Sequence, residues 1–343
     1  MRRLLIVAAT GVLAAATGAG SGAAVGSGRP IDRGPSPAVA RVAAGHHHHQ
    51  DRIPGTHCTA FPSNNVWHAD ISKLPVDSHS KEWVKHIGHG LDLHPDFGPS
   101  FGAQPVPYGI PVTVVSKSHA KVHVKFQYSS ESDHVHYPLG HDTKIEGGRH
   151  ASGDRHAIMV DKSNCHLYET WLTRHHHHHW TAGSGATWSL TSNKLRHNHW
   201  TSADAAGLPI LPGLLRYHEV KAGYVDHAIR FTAPTTSTHY LWPARHEAGS
   251  THSKSYPPMG ARFRLKSGFS MKGYNKHAKV VLRAMKTYGL ILADNGSPWY
   301  FQGDDSHHWH NHLISELKTI PAKEFQAVDE SSLQKSKNSG AVR

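Results

Sequence analysis

The chain has 343 residues, 38% of them apolar, a formal net charge of +12 with histidine neutral, and 35 histidines. That apolar share supports a real core. The absence of any later stretch near 18 uninterrupted apolar residues excludes a spanning helix, and no zinc-finger, RNP-type or helix-turn-helix pattern supports a specific nucleic-acid reader. The positive charge favours an extracellular glycan or an anionic surface as partner, more so as histidines protonate.

Taken in chain order, Arg2-Arg3 followed by an apolar, alanine-rich stretch and small residues reads as a signal peptide over 1–24. Residues 25–55 are rich in Gly, Pro, Ala and Ser and carry the run His46 to His49, which predicts a disordered linker. A single β-rich domain is expected over 56–333, with a disordered polar tail over 334–343. Export suggests one disulfide between Cys58 and Cys165, worth up to ~4.7 kcal/mol for so long a loop.

A helix is expected over Ser80 to Ile87, capped by Ser80, with Trp83, Val84 and Ile87 facing inward. Strands are expected at Pro111 to Val115 and Lys121 to Tyr128. The turn formers Asp161-Lys162-Ser163-Asn164 predict a hairpin over Arg155 to Leu172 in which Val160 faces Cys165, Ile158 faces Leu167 and His156 faces Glu169. Further strands are expected at Ala186 to Thr191, His227 to Thr232, His239 to Trp242 and Ala261 to Phe269. In the last, Ala261, Phe263 and Leu265 alternate with outward Arg262, Arg264 and Lys266. A helix follows over Asn275 to Tyr288, ended by Gly289, then a buried strand at Leu290 to Ala293 and a turn at Asn295-Gly296. A last helix is expected near His308 to Lys318. Many strands and late helices predict a mainly β fold, an antiparallel sandwich or jelly roll with a few peripheral helices.

The runs SGDRHAIMVDKSNCHLYETW (152–171), TSADAAGLPILPGLLRY (201–217), DHAIRFTAP (226–234), PPMGARFRLK (257–266) and TYGLILADNGS (287–297) resemble a group of secreted bacterial proteins. The resemblance implies an exported single globular unit. It carries over no catalytic residue.

Three constellations carry chemistry. The five histidines His175, His176, His177, His178 and His179, with His308 and His312 at helical i, i+4 spacing, are candidate ligands for Zn, Ni or Cu; no cofactor is otherwise required. No H-E-x-x-H, G-x-S-x-G, Walker loop or G-x-G-x-x-G occurs, so metalloprotease, nucleophile-elbow and nucleotide readings fail. The expected cross-strand pair of His156 and Glu169, joined by His227 and Asp204, is a candidate acid/base set. As a hydrolase, Glu169 would need a second carboxylate, Asp204 or Asp294. As a lyase, a histidine would take the proton while Arg230 or Arg245 neutralised the sugar carboxylate. Trp188 and Trp242 are candidate sugar platforms, because flat amphipathic rings suit sugar faces. The leading expectation is therefore a secreted, monomeric, glycan-directed hydrolase or lyase. The rival is an extracellular His-rich metal-binding protein without catalysis.

Overall fold

A computed structural model describes residues 52–102 and 108–343. The expected signal peptide and nearly all of the expected linker lie outside the described residues. Residues 52–55 already belong to the fold: Ile53 is buried and its N–H donates to the Cys58 carbonyl.

The strands in chain order are β1 (His94–Asp96), β2 (Val112–Val115), β3 (Val124–Phe126), β4 (Ala157–Asp161), β5 (His166–Trp171), β6 (Arg174–His176), β7 (His179–Ala182), β8 (Ser184–Ser189), β9 (Ile229–Ala233), β10 (Arg262–Leu265), β11 (Leu290–Asn295), β12 (Tyr300–Gln302), β13 (Phe325–Val328), β14 (Gln334–Ser336) and β15 (Ser339–Val342). The helices are α1 (Ser80–Gly88), α2 (Tyr217–Ala222), α3 (Lys276–Thr287) and α4 (Asn311–Leu317). A six-stranded sheet has the order β1-β12-β9-β11-β10-β13, a four-stranded sheet β2-β4-β5-β8, a three-stranded sheet β3-β7-β6, and β14 pairs β15. The protein is mainly β, but its larger sheets are mixed rather than antiparallel, since β1/β12, β2/β4, β3/β7 and β9/β11 run parallel.

The four-stranded sheet is buried on both faces. Ile158, Val160, Leu167, Ala186 and Trp188 join the main core with residues of the six-stranded sheet. Ala157, Met159 and Tyr168 point the other way, into a smaller core with Phe126, Tyr137, Leu139 and Ile145. The hairpin of β4 and β5 pairs Val160 with Leu167 and Ile158 with Glu169, two residues away from the expected register. Asp161 stays in the strand and accepts from Ser163, and Cys165 closes the loop at φ 53°. A shift of two preserves which face each residue occupies, but it removes Glu169 from His156.

Helix α3 follows its sequence signals. Asn275 accepts from the N–H groups of His277 and Ala278, and Gly289 ends the helix at φ 72°. There a Cβ would meet the Phe263 carbonyl, so glycine is required. In α1, Trp83, Val84 and Ile87 are buried as expected, but Ser80 is the first helical residue and not the cap; its hydroxyl accepts from the Ala327 N–H of β13.

Several elements depart from the sequence reading. The expected strand at 121–128 shrinks to β3, and that at 239–242 to a single bridge from Tyr240 to Met259. Arg262 and Arg264 are buried, because the carbonyls of Tyr288, Val66, Ala69, Ile71 and Leu74 and the Glu330 carboxylate take up their donors. The expected disordered tail forms β14 and β15, and Asn65 and Lys194 each make an isolated bridge to β15. Cys58 and Cys165 form the expected disulfide. No helix among the described residues is long and apolar enough to cross a membrane.

Candidate active site

One face of the six-stranded sheet is polar. β12 and β9 meet at Phe301 and Phe231, so alternation puts Tyr300 and Gln302 on the face occupied by Arg230 and Thr232. β1 adds His94 and Asp96 through its pairs with Tyr300 and Gln302. β11 adds Asp294 through a bulge after Leu292 that sets Asp294 opposite Thr232. Without that extra residue Asp294 would align with Ala233, on the aromatic side with Phe231.

Glu146 and His156, just ahead of β4, meet this face. The Glu146 N–H donates to the His156 carbonyl at 2.9 Å, and the Glu146 carboxylate accepts from His156 Nδ1 at 2.7 Å. His156 Nε2 is buried without a partner in hydrogen-bonding reach. Arg230 donates from Nε and Nη2 to Asp204 at 3.0 and 2.7 Å, and its Nη2 lies 3.7 Å from Asp294. Asp96 accepts from the Tyr108 hydroxyl at 3.0 Å and from Gln302 at 3.2 Å.

The electrostatics separate these carboxyls. Burial, then the charge of Asp204, hold the Asp294 carboxyl well above the usual aspartate range; Arg230 opposes this only in part. Burial would also raise Glu146, but the His156 charge and hydrogen bonds, with Arg230, outweigh it and leave Glu146 below its usual range. Burial would lower His156, yet the Glu146 charge and hydrogen bond lift it to about 9. Burial raises Asp96 against its hydrogen bonds from Gln302 and Tyr108. The Glu146 and Asp294 side chains each keep 25% of their surface open, whereas Asp204 and Arg230 are sealed. The arrangement thus presents to solvent one carboxyl pushed above its ordinary range and one held below it, braced by a buried Asp–Arg pair. That is the division of labour acid–base chemistry requires.

A run of rings flanks Asp96. His94 stacks on Tyr300 at 4.1 Å, Phe101 lies 5.0 Å from His94, and Tyr108 meets Phe101 edge-on at 5.2 Å. Burial, then the Lys318 charge, depress His94 to about 4, so it is a neutral ring here.

The structure keeps part of the expected set. His156, Asp204, Arg230 and Asp294 come together. Glu169 does not join them as an acid/base group: it is fully buried and accepts from the backbone N–H groups of Ile210 and Leu211, shaping a 3-10 turn (Leu211–Gly213). His227 is sealed away on Glu219, which also pairs with Arg216. Asp204 starts no helix; it is the counter-ion of Arg230. Trp188 is buried under Arg196, Trp242 donates its indole N–H to the Ser339 carbonyl, and Arg245 is used on Arg196, Lys337 and Asn338. Packing and bonds to the C-terminal segment occupy these three side chains away from Glu146 and Asp294.

The expected metal ligands are dispersed. His308 precedes α4 and stacks on Tyr217, while His312 lies on α4 beside Glu316 and Asn275, so the i, i+4 pair does not form. His175 to His179 span an exposed β6–β7 hairpin with His176 opposite His179. The one group of three possible ligands among the described residues is His57 with Cys58 and Cys165, and its sulfurs are spent in the disulfide.

Sequence reasoning missed Glu146, Asp96 and Tyr108. Glu146 is followed by Gly147-Gly148, a loop signal beside an acid that marks such sites; nothing local distinguishes Asp96. Comparison with known proteins returned no match to a family model, a curated protein or a solved structure.

Proposed function

We propose that this protein is an exported glycoside hydrolase that uses Asp294 as general acid and Glu146 as the ionised carboxylate of the pair. The reading rests on one observation: two partly open carboxyls share a site whose surroundings push them in opposite directions. Glycosidic cleavage needs a proton on the leaving oxygen and a negative carboxylate beside an oxocarbenium-like transition state. Asp294, whose carboxyl burial holds above the usual aspartate range, would supply the first. Glu146, charged against His156, supplies the second. His156 is a positioning residue, because its proton is committed to Glu146; this disfavours the lyase in which a histidine takes a proton. Arg230 likewise serves Asp204 and Asp294 rather than a substrate carboxylate. Phe101, Tyr108 and Tyr300 offer ring faces for sugar stacking. The Cys58–Cys165 disulfide suits an oxidising compartment, in keeping with export.

The test is release of reducing ends from a panel of neutral and acidic polysaccharides by wild type, Glu146→Gln and Asp294→Asn. Turnover by wild type alone supports the assignment. Turnover retained in both variants, or release from no polysaccharide by wild type, overturns it. A second reading, metal collection without catalysis, draws on the exposed His176 and His179 pair, whose rings lie 5.7 Å apart. Metal uptake that vanishes when 175–179 are replaced, with no turnover by wild type, would favour it.

A further inference from the structure

On the other side of the Glu146 segment lies a hollow of about 480 Å³. Arg149, Arg155 and Arg174 line it, with His141, His150, His175 and His176, and no acidic residue lines it among the described residues. Ile145 and Trp180 supply its apolar wall. Such a lining suits anions, because Arg149 and Arg174 bring guanidinium charge to its wall, Arg149 sharing one donor with the His141 carbonyl, and no lining carboxylate competes for them.

The hollow is organised by Arg155. This residue is buried at 3% exposure and holds a left-handed backbone at φ 51°. Its Nε and both terminal nitrogens donate to the carbonyls of Thr173, Gly148, Ala151 and Arg149. Those bonds tie the 148–151 loop to the chain entering β6, and so fix the positions of Arg149 and Arg174 on either side. Burial, then the Arg174 charge, lower the Arg155 guanidinium, which marks cationic charge without a local counter-ion. Trp180 presents a ring against His175 at 4.6 Å, a flat wall of the kind a pyranose face covers.

The hollow adjoins Glu146, one of the two proposed catalytic carboxyls. Ile145 and Arg155 line it, and their chain neighbours Glu146 and His156 hydrogen-bond each other at the same backbone crossing. Metal capture fits the hollow poorly, since no three of its histidines bring ligand atoms within one ion's reach.

We infer that this hollow is an anionic-sugar subsite: it takes the sulfate or carboxylate of an acidic polysaccharide whose chain continues past Glu146. The inference rests on the hydrolase reading for the role of the bound chain, but the binding itself is independent of it. Sulfate and carboxylate share the chemistry of an oxyanion on a guanidinium fork, and the experiment separates them.

Binding of the mature protein to dextran sulfate, polygalacturonate and uncharged dextran would be followed by titration calorimetry at fixed salt. At least one polyanion should bind while dextran does not, and the one bound more tightly identifies the oxyanion. Arg149→Ala with Arg174→Ala should weaken that binding at least about 10-fold, the loss of two charge-assisted contacts. The control Lys272→Ala with Lys276→Ala removes the same charge from an exposed turn and from the start of α3, and should change binding less than about 2-fold. Equal weakening in the hollow and control variants, no weakening in the hollow variant, or no preference for a polyanion would overturn the subsite. Polyanion binding at the hollow with no turnover of any glycan would sink the hydrolase reading alone; turnover of a neutral glycan without polyanion binding would sink the subsite alone.

Discussion

Two buried histidines, His156 and His227, each hydrogen-bond a glutamate side chain, and the two pairs have opposite fates. His156 and Glu146 meet at 2.7 Å with the carboxylate side chain 25% open, whereas His227 and Glu219 meet at 3.1 Å with both essentially sealed. Glu219 is further closed by Arg216, which with His227 outweighs burial and lowers its carboxyl to about 2. Glu146 instead feels the charge of Arg230, which also reaches the raised carboxyl of Asp294. The same two functional groups serve packing in one place and chemistry in the other. Access and the third partner decide which.

The largest expected effect comes from breaking the sealed pair. Glu219→Ala would take from buried Arg216 and His227 the carboxylate both hydrogen-bond, and should destabilise the fold by about 3–5 kcal/mol in chemical denaturation. A loss below about 1 kcal/mol would show that water reaches this cluster and that the contrast is false.

Next is turnover at the open pair. Glu146→Gln should lower kcat/KM at least about 10²-fold, the usual share of acid–base catalysis, while retaining the folded far-UV signature. Asp294→Asn should lower turnover similarly and leave stability at neutral pH unchanged or raised, because it removes a carboxyl that burial already disfavours in its charged form. In wild type the rate should fall on the acid side as Glu146 gains its proton and on the alkaline side as Asp294 loses its own. Equal pH profiles for wild type and any active residue of Asp294→Asn would contradict the assignment.

A smaller effect follows from linkage. His156 titrates at about 9 in the fold against 6.5 for a free histidine, so its contribution is complete below about 6.5 and is lost as pH rises through about 9. Glu146 is depressed, so its contribution is complete above the usual glutamate value and lost as pH falls through its lowered one. Wild type should therefore lose on the order of 2–3 kcal/mol between pH 6.5 and 9.5 relative to Glu146→Gln, as read from denaturation midpoints. Parallel curves would mean that the pair is not formed.

The smallest effect concerns the ring wall. Phe101 is 50% exposed, so Phe101→Ala should cost the fold less than about 0.5 kcal/mol while raising KM for a glycan several-fold. An unchanged KM would remove this ring from the substrate path.

Local signals in the sequence carried far. The Asn275 cap, the apolar stripe of α3 and Gly289 define that helix without help from the rest of the chain, and the even count of two cysteines announced the pairing of Cys58 with Cys165. His156, Asp204, Arg230 and Asp294 were legible as candidate chemistry, because charged residues beside apolar strands must find partners. Their partners were not legible. A period of two tells which face a residue takes, and the hairpin kept that, but it does not tell which neighbour stands opposite; a shift of two residues moved Glu169 onto the backbone of 210–211 and left His156 to Glu146. Likewise Arg262 and Arg264 alternate like solvent-facing residues, and only carbonyls arriving from distant segments make their burial tolerable.

The sequence by itself determined a β-rich chain with one disulfide, two amphipathic helical stripes and a surplus of cationic side chains, since these follow from local propensity, periodicity and composition. Tertiary structure alone decided which carboxyl is pushed up and which is held down, which glutamate keeps an open edge and where the arginines gather. Those outcomes depend on burial and on charges brought from remote positions, and through-space electrostatics has no counterpart in the order of the residues.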